Sequence, residues 1–70
     1  MAYEIWEMQT GNLVASFSVE ADALALVRDA VETHGEAYAR NLALVREDRD
    51  GQTTTVATAD ELLQRVRVLA

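Results

Sequence analysis

Tyr3-Glu4-Ile5-Trp6-Glu7-Met8-Gln9-Thr10-Gly11-Asn12-Leu13-Val14-Ala15-Ser16-Phe17-Ser18-Val19 opens the chain with two extended runs around a glycine turn. In the second run Leu13, Ala15, Phe17 and Val19 alternate with Val14, Ser16 and Ser18. That period of two belongs to a strand with one buried face. The first run divides into Tyr3, Ile5 and Glu7 on one face and Glu4, Trp6 and Met8 on the other. A three-residue Thr10-Gly11-Asn12 loop sets Ile5 opposite Phe17 and Tyr3 opposite Val19. A loop of two or four residues slips the register by one and sends Trp6 and Met8 to the core instead. The first register is favoured, because it gathers Tyr3, Ile5, Phe17 and Val19 on one apolar face.

A helix from about Ala21 to His34 follows, with Ala23, Leu24, Val27, Ala30 and Val31 as its apolar stripe and Arg28, Asp29 and Glu32 on the wet side. Gly35 ends it. The pattern then repeats. Tyr38 to Glu47 reads as a long central strand, apolar on both sides in its middle. Asp50-Gly51 is the strongest hairpin turn of the chain, and Thr53 to Ala57 is β-branched and extended. Thr58-Ala59-Asp60-Glu61 has the form of a capping box ahead of a helix from about Ala59 to Leu69, with Leu62, Leu63, Val66 and Leu69 inward. Gly11 and Gly51, forty positions apart, mark the repeat. The expected fold is therefore α+β, ββαββα: a four-stranded, mainly antiparallel sheet with two helices on one face. It is one domain, 1–70, made of two ββα halves at about 1–36 and 37–70.

Seventy residues and 7.7 kDa allow a single small core, and a chain of this size buries only about 60% of its extended surface. Without cysteine, disulfides and thiolate metal sites are excluded. Self-association or a larger partner is the remaining reinforcement, and a homodimer is expected. The formal charge of −6 and pI of about 4.5 disfavour phosphate backbones and anionic membranes. Arg28, Arg40, Arg46, Arg49, Arg65 and Arg67 are interspersed with acids, so no nucleic-acid partner is expected; a basic protein partner fits the charge. The first residues show no signal pattern and no apolar run reaches membrane-spanning length, so the expected location is cytoplasmic. Arginine without lysine, with abundant alanine and valine, is the usage of a GC-rich bacterial genome.

Tyr3-Glu4-Ile5-Trp6, Gly11-Asn12, Phe17, Ala23-Leu24, Val27, His34-Gly35, Tyr38 and Leu42-Ala43-Leu44 together resemble a set of short, uncharacterised proteins of high-GC bacteria. Those share a hairpin–helix–hairpin–helix layout over nearly the whole length. The resemblance implies the fold and a bacterial origin, and no activity. One departure is Val19, where that family often has serine or threonine before the first helix; its helix start is less firmly capped here.

No constellation of residues carries chemistry. His34 is best explained as an imidazole at the C-terminal end of a helix dipole. Glu47-Asp48-Arg49-Asp50-Gly51 lacks the alternation and distal glutamate of a calcium loop. Ser16 and Ser18 have no base nearby in sequence to activate them. No cofactor or metal is implied. The expectation is a non-enzymatic interaction module associating through its helix-free sheet face or a strand edge, anchored by Trp6, Met8 and Val14, with Tyr3 joining them. Tryptophan in particular buries a large area at small entropic cost. The alternative is a small-ligand or catalytic unit with a helix–sheet pocket, using His34 or a tyrosine and completed by dimerisation.

Overall fold

The computed structural model describes residues 1–69, Leu69 by its backbone alone. The elements run β1 (Ala2–Glu7), β2 (Asn12–Phe17), α1 (Glu20–His34), α2 (Glu36–Ala39), β3 (Leu42–Glu47), β4 (Thr53–Thr58) and α3 (Ala59–Leu69). The strands form one sheet in the order β2-β1-β3-β4, every neighbouring pair antiparallel. The two long helices pack on one face, α1 over β1 and β2, α3 over β3 and β4. This is the expected ββαββα architecture.

The core lies between that face and the helices. Ile5, Leu44 and Ala57 rise from the sheet to meet Ala23, Leu24 and Val27 of α1 and Leu62, Leu63 and Val66 of α3, with Leu42 and Ala39 closing one end. Both helices bury residues at i, i+1 and i+4, the stripe that 3.6 residues per turn aligns on one side. The correspondence extends further. Ile5 and Leu44, Ala23 and Leu62, Leu24 and Leu63, and Val27 and Val66 are each separated by the same interval of sequence. Ile5 pairs with Leu44 in the β1–β3 ladder, so a quasi-two-fold axis passes through that pair along the sheet normal. Each half carries a β-bulge beside it, between Ile5 and Trp6 and between Leu44 and Val45. The extra residues are Val14 in β2 and Val56 in β4.

Three expectations are corrected. The first hairpin pairs Tyr3 with Phe17 and Ile5 with Ala15, since residues 8–11 make a four-residue connection and the bulge at Val14 absorbs the resulting slip. Tyr3, Ile5 and Phe17 still reach the helix side. Leu13 does not: beyond the bulge it pairs with Trp6 on the other face. Second, β2 stops at Phe17, and Val19 is 50% exposed at the N-cap of α1. Third, Tyr38 is not in β3. Glu36–Ala39 form a short helix, closed by Arg40 N–H to Glu36 O at 3.0 Å, and the strand starts at Leu42. Alanine and glutamate are good helix formers, and this turn buries Ala39 completely in the core.

Gly35, with φ +91°, ends α1 as expected, its N–H donating to Val31 O at 2.8 Å. The β4–α3 link is tighter. Eight positions separate Ala15 from Ala23, whereas only five separate Ala57 from Leu62. Ala59 makes this short turn at φ +49°, a left-handed conformation that costs a residue with a Cβ. Asp60, inside the Thr58–Glu61 stretch, directs its carboxylate to Arg40 Nε at 3.0 Å.

Candidate functional site

Helices cover one face of the sheet, and the strand pairing defines what the other face presents. Leu13, Trp6, Ala43 and Thr58 stand in one cross-sheet row. Ser16, Glu4, Val45 and Thr55 form the next, and Ala2, Glu47 and Thr53 follow. The apolar part is compact: Leu13, Trp6 and Ala43 side by side on three adjacent strands, with Val45 beside them on β3. Ala43 is only 6% exposed although it lies outside the helix-side core, as befits a small residue set between larger neighbours in its row.

Trp6 occupies the middle of this surface. Its indole Nε1 donates to Glu4 Oε1 at 3.1 Å, a bond between two residues on the same face of β1. That contact satisfies the indole's one donor, leaving its ring as apolar surface. Met8 is 44% exposed. Its N–H donates to Asn41 O at 2.8 Å, extending the β1–β3 ladder by one position and carrying the alternation on to the side of Trp6.

The other two expected anchors lie elsewhere. Tyr3 is on the helix side, half-buried against the core. Val14, as the bulged residue, turns to the helix side, where it lines a cleft with Leu26, Asp29, His34, Tyr38 and Leu42. Leu13 takes the place on the helix-free face that unbroken alternation assigns to Val14, and is 47% exposed there. Leu13, Ala43 and Val45 are the members of the surface that sequence reading misses. The signal that finds Ala43 and Val45 is the double-sided apolarity of β3. For Leu13 no signal exists short of knowing the bulge.

The remaining candidates make local contacts. His34 is the last residue of α1, its ring 5.1 Å from that of Tyr38 and tilted by 52°. The cleft they share has a volume of about 250 Å³ and opens beside β2, away from the helix-free face. Asp48 closes its hairpin, its Oδ1 accepting from Asp50 N–H at 2.9 Å and Gln52 N–H at 3.0 Å. Among the described residues no group of three or more acidic or histidine side chains is placed to hold a metal ion. No helix of the described residues is long and apolar enough to cross a membrane.

Neither a protein-family model, nor a curated protein, nor a solved structure matches the chain.

Proposed function

We propose that this protein is a non-enzymatic interaction module that forms a homodimer through its helix-free sheet face. The observation that carries this reading is the apolar row Leu13–Trp6–Ala43, with Val45 adjoining, on the sheet face that none of the described helices covers. An apolar patch at the centre of one face, rimmed by threonine, serine and glutamate, has the anatomy of an interface. The core itself is closed within one chain, so association is not required to complete the fold. It covers the surface left over.

The size of the face sets the affinity class. Strands of six residues at about 3.3 Å each, four abreast at about 4.8 Å, give a face of roughly 20 by 19 Å. Two copies face to face bury about 760 Å² of projected area, below the roughly 1,000 Å² of a stable specific interface, which puts the contact in the weak, transient class. The dimer is accordingly weak and exchanges readily. Trp6 reports it directly: diluting the protein while following its fluorescence shifts emission to longer wavelength as the indole becomes solvated. A red emission already present at the highest concentration, and unchanged on dilution, removes this reading.

A second reading takes the cleft beside His34 and Tyr38 as a small-ligand site. Its polar rim favours it, but its 250 Å³ is below the usual range for such pockets. A rise in melting temperature with a small molecule, abolished by Tyr38→Ala, would favour it.

A further inference from the structure

We propose that the groove between α1 and β2 docks an extended, arginine-bearing segment of a basic partner protein. This surface is distinct from the helix-free face and does not depend on self-association.

Two clefts run together along the same side of α1. One is lined by Val14, Leu26, Asp29, His34, Tyr38 and Leu42; the next by Phe17, Asp22, Ala25, Leu26 and Asp29. Leu26 and Asp29 belong to both, so the surface is one groove with an apolar floor. Val14 is in that floor because the bulge turns it there. Asp22 and Asp29 stand seven positions apart on α1, two turns and about 10 Å along its axis.

Neither Asp22 nor Asp29 belongs to an ion pair among the described residues. The ion pairs among the described residues join Arg40 to Glu36 and Asp60, Arg65 to Glu20, and Arg67 to Glu36. The groove on the opposite side of α1 has Arg28 and Arg67 balancing Glu32 and Glu36. Among the described residues no arginine lines the α1–β2 groove, and its other titratable groups are His34 and Tyr38. A negative wall, Asp22 and Asp29 of α1, beside an apolar floor calls for a cation on an apolar stem, and arginine also stacks on aromatic rings such as the Tyr38–His34 pair.

The spacing selects the shape of the occupant. A polyproline II segment returns to the same side every three residues and rises about 3.1 Å per residue. Arginines at i and i+3 then stand about 9 Å apart on one side, close to the separation of Asp22 and Asp29. The residues between them would run along Phe17, Leu26 and Val14, as extended peptides do in aromatic-lined grooves.

The test uses a fluorescein-labelled peptide, Arg-Pro-Leu-Arg, titrated with the whole protein and read by anisotropy. Saturable binding is expected. The double substitution Asp22→Asn and Asp29→Asn weakens it by at least about tenfold. A charge-matched control, Asp50→Asn with Glu61→Gln, changes it by less than about twofold. Leu13→Asp, on the other face, leaves it intact whether or not the protein dimerises. Equal losses from the two double variants reduce the effect to bulk charge and overturn the proposal. Equal binding of Arg-Gly-Ser-Arg, which cannot use the floor, overturns it as well, as does absence of saturable binding. Melting curves confirm that each variant is folded.

Discussion

Val19 occupies the N-cap of α1 in an extended conformation, and no side chain caps that terminus. Its carbonyl accepts from Asp22 N–H at 3.2 Å and Ala23 N–H at 3.4 Å, while the free N–H groups of the first turn have no side-chain oxygen to meet. Half of the valine surface is in water, so replacing it removes little packing. Val19→Ser is therefore expected to stabilise the protein by about 1 kcal/mol, the usual value of a capping hydroxyl, measured by urea denaturation. Ala59 presents the opposite case, a residue whose backbone is forced by a short link. Ala59→Gly relieves the left-handed strain at some cost in unfolded-state entropy, leaving a net gain of up to about 1 kcal/mol. A loss of stability from Ala59→Gly would show that the side chain's contacts outweigh the strain.

The two long helices perform the same task in each half. Leu24 and Leu63 occupy quasi-equivalent positions, and each is 4% exposed. Leu24→Ala and Leu63→Ala should each cost about 2–5 kcal/mol and agree with one another within a factor of two. Calorimetry checks both; a large difference would mean that the two halves do not share the core evenly. At this scale most elements were legible in the sequence. Asp50-Gly51 and Gly11 gave the hairpins, the Leu24–Val27 and Leu62–Val66 spacings gave the helices, and Gly35 gave the end of α1. The bulges at Val14 and Val56 were not legible. A bulge obeys the geometry of its partner strand, not the propensity of the residue it displaces, and it reversed the faces of Leu13 and Val14. The turn at Glu36–Ala39 was hidden for another reason: Tyr38 and Leu42 fit an extended pattern equally well, and burial of Ala39 decided for the helix.

For the molecule as a whole, the sheet has one covered face and one bare face, and the function proposed here follows from that asymmetry. The place of Trp6 on the helix-free face was legible because Ile5 claims the core side of β1. Its neighbours Leu13, Ala43 and Val45 needed the register. Two carboxylates also lie on this face, Glu4 beside the indole and Glu47 in the row with Ala2 and Thr53. Two copies face to face bring like charges together, which opposes association and weakens it most at low salt. Glu4→Gln keeps an acceptor for the indole and removes the charge, so it is expected to tighten the dimer several-fold, as added salt should for the wild type. Tightening would be seen by sedimentation equilibrium; unchanged association would place Glu4 outside the contact.

The most direct measurement is the solution mass of the protein across a concentration series, beside that of Leu13→Asp. Leu13 is exposed and outside the core, so the substitution should leave the melting temperature nearly unchanged. Self-association through the helix-free face requires the wild-type mass to rise from one chain toward two with increasing concentration, while Leu13→Asp stays at one. A wild-type mass of one chain throughout, or a Leu13→Asp variant that dimerises equally well, would contradict it.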